Sequence, residues 1–363
     1  MQLESFDLYR YRLPLTAALE LEGATLYHRE GLLLRLVGDD GSEGWGETAP
    51  LPGFSEEDLD GAAARLDGLA EVAMGRAATG DWVDPEGGFG LELGGLSPTP
   101  SVRFGFELAL WNLYAASTGT TLPDLIAYPP RPTVPVNGLL SSLPDKVLGE
   151  ARHMRDLGYE TLKLKVGGRS VAEDVHLVRA LGEELGEAVS LRLDANRAWG
   201  FEEAAEFLRG ASGVRFEYVE EPLADPSRLP ELVKLFGVPV ALDESLVEIE
   251  PGALEEYRYT RAVVLKPTLL GGISRTLRLA KRALSIGMTP VISSAYESGV
   301  GTAALVALAA GIGDRAVPAG LDTYRRLAAD VLVSPLGLPA PSVGVREVVD
   351  ASREIDVLKL EIV

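Results

Sequence analysis

The 363-residue chain contains no cysteine. Disulfides, thiolate metal sites and cysteine nucleophiles are therefore excluded. Histidine is nearly as scarce. Of the three present, His153 and His176 read as helix-surface residues, and His28 lies off every motif described below. Basic residues are in the minority, with 34 Lys and Arg against 54 Asp and Glu and a formal net charge of −20. That balance argues against nucleic acid or an anionic membrane as partner. It also means that an anionic substrate must be drawn in by local cations. No uncharged apolar run reaches the ~18 residues of a membrane span. The start, MQLESFDLYRYRLPL, lacks an apolar core flanked by basic residues, so no signal peptide is expected and the cytoplasm is the default. Walker, HExxH and GxSxG motifs are missing, which leaves phosphoryl transfer, zinc proteolysis and serine hydrolysis without their signatures.

What the chain does have is a run of short apolar segments, each ending in charge. They are TLKLKV (161–166), VSLRLDAN (189–196), RFEYVEEP (215–222), VPVALDES (238–245) and AVVLKP (262–267). Each gap is long enough for one helix, which predicts βα units and a parallel sheet. Asp194 to Glu220 is 26 positions, Glu220 to Asp243 is 23, and Asp243 to Lys266 is 23. Charge recurring at strand ends at that spacing predicts a (β/α) barrel, because chemistry in that fold sits on the carboxyl-end rim. Three carboxylates at one height repel unless a cation neutralises them. An all-oxygen set suits a hard ion, Mg²⁺ or Mn²⁺. The competing reading makes Asp194 and Asp243 N-caps of the following helices, which explains either singly but not three in register. Lys163 and Lys165 are two apart and share a strand face, and Lys266 ends a later strand. A like charge nearby lowers a lysine pKa, so one of the first pair suits a neutral base. The residues alone reach proton abstraction next to a carboxylate.

Around this core the chain reads as follows. Residues 1–50 alternate as antiparallel strands, with a DDG turn near residue 40. Thr16 to His28 reads either as a mobile loop or as an ordinary strand connection. Ser55, ahead of Glu56, Glu57 and Asp58, reads as the N-cap of a helix over 55–75. Residues 76–100 are Gly-rich and weakly patterned. SVRFGFELALWNLYAAS, opened by Pro100, is an apolar helix whose Trp111 belongs to the core. The Pro-rich stretch 129–140 marks a domain junction, with VPVNGLL as first barrel strand, MTPVISSA (288–295) as the seventh and RAVPAGL (315–321) as the eighth. Barrel helices are expected at Pro144–Leu157, Val175–Leu185, Phe201–Arg209, 271–286 and Thr302–Ala310. The expected organisation is α/β: an α+β capping domain over 1–128, a modified (β/α)7β barrel over 129–323, and a tail, 324–363, returning to the capping domain.

The order KxK, DAN, EEP, DES, LKP resembles the enolase superfamily, muconate-lactonizing-enzyme subgroup, over nearly the whole chain. Within that subgroup LKPTLLGG (265–272), ISSAYESGVG (292–301) and GLDTYRRLAADV (320–331) are similar to the o-succinylbenzoate synthases of quinone biosynthesis, and GWGETAPLPGFS (44–55) looks like that family's capping-domain loop.

The resemblance implies roles. Asp194, Glu220 and Asp243 become ligands of Mg²⁺ (or Mn²⁺), Glu220 being preferred to Glu221 because the superfamily uses the first carboxylate of that motif. Lys165 becomes the general base, tuned or oriented by Lys163. Lys266 becomes a permanent cation across the site. The superfamily joins a lysine base to a metal-stabilised enediolate. Substrate contacts are expected from Ser293, Ser294, Asn196, Arg192 and Gly299. The serines and the glycines at 299 and 301 would seat a substrate carboxylate at a helix N-terminus; simple tight packing of that turn is the alternative. Asn196 either donates near the metal or caps a turn. The implied reaction is syn dehydration of 2-succinyl-6-hydroxy-2,4-cyclohexadiene-1-carboxylate to 2-succinylbenzoate. The partner is then a small anionic molecule, the protein being monomer or homo-oligomer. Two readings stay open beside it: an N-succinylamino acid racemase or dipeptide epimerase, since lysines on both sides suit two-base chemistry, and a non-catalytic barrel.

Overall fold

The computed structural model describes residues 1–21, 23–86 and 98–363. Part of the weakly patterned stretch, 87–97, lies outside the described residues.

The chain opens on an antiparallel sheet. Strands β1 (Leu3–Leu21) and β2 (Ala24–Gly38) form a long hairpin, and β3 (Glu43–Thr48) adds to β2. The segment left open between loop and strand connection is therefore paired strand, Leu19 opposite Leu26 and Glu20 opposite Thr25, with an irregular register between Pro14 and Leu19. Helix α1 (Leu59–Ala73) follows. Its N-cap is Asp58, which accepts from Gly61 N at 2.7 Å. The expectation of Ser55 as cap fails because the Pro52 turn uses that residue: Ser55 Oγ accepts from Leu51 N at 2.9 Å.

Helix α2 (Pro100–Ser117) is apolar all round because it has two partners. Phe106, Leu110 and Leu113 pack on the sheet and α1, while Phe104, Leu108 and Trp111 join the barrel core. It lies directly on β3. A Cβ at Gly46 would stand 1.9 Å from Gly105 O, and one at Gly44 would stand 2.1 Å from Ala109 O. Only glycine permits that approach, and it fixes where Glu47 points.

Seven parallel strands in sequential order make the barrel wall: β4 (Gly138–Leu140), β5 (Thr161–Lys165), β6 (Ser190–Asp194), β7 (Tyr218–Glu220), β8 (Val240–Leu242), β9 (Ala262–Leu265) and β10 (Thr289–Ile292). The eighth stave is reduced to two bridges, Val136–Ala319 and Ser293–Gly320, which join β10 back toward β4. VPVNGLL is likewise split. Thr133–Pro135 pairs antiparallel with Ser342–Gly344 of the tail, and only Gly138–Leu140 enters the barrel sheet. Helices α3 (Val147–Asp156), α4 (Val171–Leu185), α5 (Phe201–Gly210), α6 (Leu229–Phe236), α7 (Ile273–Ser285) and α8 (Gly299–Gly311) pack outside. Helix α4 starts four residues before its expected position because Ser170 and Glu173 form a reciprocal capping box. The end of the tail, Glu361–Ile362, pairs with β1. None of the described helices is long and apolar enough to cross a membrane.

Candidate active site

Parallel pairing places the strand-end charges side by side. Lys165 on β5 is level with Asp194 on β6, and Asp194 with Glu220 on β7; Glu220 is level with Ala241 on β8, two residues before Asp243. All three carboxylates are buried, Asp194 at 7% exposure, Glu220 at 0% and Asp243 at 5%. Amines neutralise them here. Lys163 Nζ lies 2.7 Å from Asp194 Oδ2 and 2.8 Å from Glu220 Oε2, while Lys266 Nζ pairs with Asp243. As they stand, no three acidic or histidine side chains among the described residues close round one ion.

The charge balance nonetheless fits a cation. Burial, then the fields of Asp194 and Asp243, push the Glu220 carboxyl well above its ordinary range, with Lys163 opposing them. Burial also works against ionised Asp194, but Lys163 and Lys266 outweigh it and hold that carboxyl low. Burial would lower Lys163 and Lys266, yet Asp194, Glu220 and Asp243 raise the first well above its ordinary value, and Asp243 with Glu220 raises the second. Three buried acids against two paired amines leave excess negative charge, and the donors are all hard oxygens.

Lys165 differs from the other two amines. Its side chain is exposed at the site's mouth, and among the described residues it has no hydrogen-bond or ion-pair partner. It lines both lobes of the cavity over the rim, about 440 Å³ and 730 Å³, as do Lys266 and Asn196. The hairpin tip (Ala18, Leu19, Glu20, Leu21) and Phe54 cover the same space.

Glu221, next to Glu220, faces the other way. It is fully buried and accepts from Asp243 N at 2.9 Å, Ser245 N at 2.8 Å and Ser245 Oγ at 3.0 Å, with Arg197 Nε at 3.3 Å. It thereby fixes the turn that carries Asp243. Glu221→Ala orphans those donors, and we expect it to cost about 2–4 kcal/mol, read as a lowered thermal midpoint, with Glu221→Gln losing less.

Asn196, at φ 41°, donates to Glu244 Oε1 at 3.0 Å and lines both lobes. Ser293 and Ser294 also face the cavity, but Ser294 Oγ is engaged with Glu297 Oε2 at 2.7 Å. Two expected substrate contacts fail. Arg192 points into the barrel one layer below the site. It is completely buried, donating to Glu217 Oε2, Asn137 Oδ1 and Pro318 O, and its place two residues before Asp194 on an inward-facing row puts it under the rim. Gly299 N donates to Asp330 Oδ1 at 2.9 Å, and a Cβ there would meet Asp330 and Leu332. The α8 N-terminus does seat a carboxylate, but one from the chain itself. Glu47 accepts from Ser298 N at 2.7 Å, Ser298 Oγ at 2.6 Å and Gly301 N at 2.7 Å, and from Tyr11 Oη at 2.5 Å. Burial raises its pKa against those hydrogen bonds. Sequence reasoning missed this residue. Its only signal is a carboxyl among glycines in GWGETAP, with the partner 251 positions away.

Two family models match the chain: one described as enolase C-terminal domain-like over residues 146–347, the other as the MenC N-terminal domain over 3–113. The o-succinylbenzoate synthase of Edwardsiella ictaluri is 35% identical over 90% of this chain and 92% of its own length, and that of Klebsiella pneumoniae 33% over 90% and 92%. Protein PHYLLO, chloroplastic, from Arabidopsis thaliana is 33% identical over 92% of this chain, which spans 22% of that longer protein. Among solved structures, the muconate lactonizing enzyme from Pseudomonas fluorescens complexed with muconolactone superposes with a TM-score of 0.84 at 25% identity, covering 100% of this chain and 97% of that one. A dipeptide epimerase from Enterococcus faecalis, complexed with Mg and a dipeptide, gives 0.84 at 21% identity over 99% and 100%.

A capped barrel with acids and lysines on its rim, matched in this way, is a member of the enolase superfamily. Within it, the chain belongs to the o-succinylbenzoate synthase family.

Proposed function

We propose that the protein is a divalent-metal-dependent lyase that dehydrates 2-succinyl-6-hydroxy-2,4-cyclohexadiene-1-carboxylate to 2-succinylbenzoate for menaquinone or phylloquinone synthesis. The observation that carries this reading is the level row of Lys165, Asp194 and Glu220, with Asp243 and Lys266 beside it, under one cavity. Membership of the synthase family supplies the substrate.

Asp194, Glu220 and Asp243 would hold the ion, Mg²⁺ or Mn²⁺. Bound there, it supplies positive charge that acidifies the carbon next to the substrate carboxylate. Lys165, without a carboxylate partner, takes the α-proton. Lys266, held cationic by Asp243, places its charge against the enediolate that follows. The departing hydroxyl leaves with a proton from Lys165, and the ring becomes aromatic. Lys163 stays a cation beside Asp194 and Glu220 and limits their repulsion. Asn196 steadies the rim through Glu244. Leu19, Leu21, Leu51 and Phe54 wall off water from the apolar ring.

The test is direct assay of the dehydration with Mg²⁺ and with EDTA. Turnover with Mg²⁺ that EDTA abolishes is the expected result. Silence in both, with deuterium exchange at the α-carbon of N-succinyl amino acids in D₂O, would replace the reading by racemisation.

A further inference from the structure

The cavity is lined by more positive charge than the proposed chemistry uses. Lys163 and Lys266 are paired with the three rim carboxylates. Arg169 is paired with buried Asp174 at 2.6 Å. Lys165 is the base. That leaves Arg326, which is half-buried on the cavity wall and whose guanidinium has no hydrogen bond or ion pair among the described residues. In a chain of net charge −20, an unpaired, partly desolvated guanidinium facing a cavity is waiting for an anion.

Its neighbourhood agrees. Asp322, four residues earlier, makes no ion pair with it: Arg325 Nε stands 3.2 Å from Asp322 Oδ2, and Leu139 N donates to the same oxygen at 2.8 Å. Thr323 Oγ1 is buried, lacks a partner and lines the same cavity. Tyr296 lines the same cavity. One cavity thus holds, besides its lysine-bearing rim, a further cation and a buried hydroxyl without a partner.

We infer that Arg326, assisted by the Thr323 hydroxyl, binds the distal carboxylate of the substrate's succinyl arm and so selects a dicarboxylate. This rests on the substrate proposed above, which carries one carboxylate on the ring and another at the end of that arm. The ring carboxylate goes to the rim. The distal one needs its own counter-charge, and Arg326 is the cation left for it. A planar fork suits a carboxylate better than a point charge.

The test compares wild type, Arg326→Gln and Arg326→Lys by two readouts. Affinity for 2-succinylbenzoate and for its distal methyl ester is measured by calorimetry, and KM and kcat for dehydration are measured alongside. Arg326→Gln is expected to weaken 2-succinylbenzoate binding and raise KM by about tenfold or more, leaving kcat within a few-fold. Arg326→Lys should restore part of the affinity. The methyl ester should bind wild type and Arg326→Gln equally weakly. Equal losses for acid and ester, or unchanged affinity for the acid, would overturn the assignment. Because binding is read without turnover, wild type that binds the diacid through Arg326 but fails to dehydrate the substrate would sink the proposed reaction and leave the subsite standing.

Discussion

Lys165→Ala is expected to lower the dehydration rate by about 10³- to 10⁴-fold, the upper part of the range for a general base. The fold should not change. The Lys165 side chain is exposed at the end of β5 and makes no hydrogen bond or ion pair among the described residues, so its removal orphans nothing. Circular dichroism and the thermal midpoint should match wild type, and so should the stabilisation given by Mg²⁺, because the carboxylates are untouched. The loss should fall on kcat and kcat/KM together, the signature of a group acting in the transition state. Near-normal turnover would remove Lys165 from the chemistry and shift attention to Lys163 and Lys266, both of which are held cationic by buried acids.

Glu220→Gln carries the second large effect, and its sign separates function from stability. In metal-free protein Glu220 adds a third buried negative charge to Asp194 and Asp243, with only the Lys163 and Lys266 ammoniums to answer them. Glutamine keeps the shape and an acceptor oxygen for Lys163 while removing that charge. The thermal midpoint in EDTA should therefore hold or rise. In wild type, Mg²⁺ should raise the midpoint by binding the native state alone. In Glu220→Gln that rise should vanish, and turnover should fall by at least about 10²-fold as the charge opposed to the reacting carboxylate is lost. A variant that loses stability in EDTA yet keeps its Mg²⁺ response would show Glu220 to be a structural ion-pair partner of Lys163.

The legible parts of this chain are those set by local pattern. Period-two rows such as TLKLK put Lys163 and Lys165 on one face, and the spacing of the strand-end acids placed Asp194 level with Glu220, whereas Asp243 stands two residues past that level. Helix ends came within a few residues wherever a Gly or Pro marked them. What was hidden depends on contacts far apart in sequence. Glu47 reaches Ser298 and Gly301 only because Gly44, Gly46 and Gly105 let β3 sit on α2. Gly299 sat in a motif that suits anion binding, yet nothing local could say that the chain supplies the anion itself. Arg192 obeyed the inward-facing row but lay one layer too deep, a distinction that period two does not make. The hairpin tip over the cavity was unreadable because loop and strand edge share the same polar, Gly-containing composition. Arg326 drew no attention because either arginine of GLDTYRRLAADV reads as a solvated one; only the cavity and the missing side-chain partner mark it.

Crystals grown with Mn²⁺ and measured at the manganese absorption edge would show whether three acids from neighbouring barrel strands gather on one ion. The expected result is a single strong anomalous peak in contact with carboxylate oxygens of Asp194, Glu220 and Asp243, with the Lys163 ammonium displaced from between Asp194 and Glu220. A peak bound elsewhere, or no peak at saturating Mn²⁺ with Lys163 still bridging those two carboxylates, would contradict it.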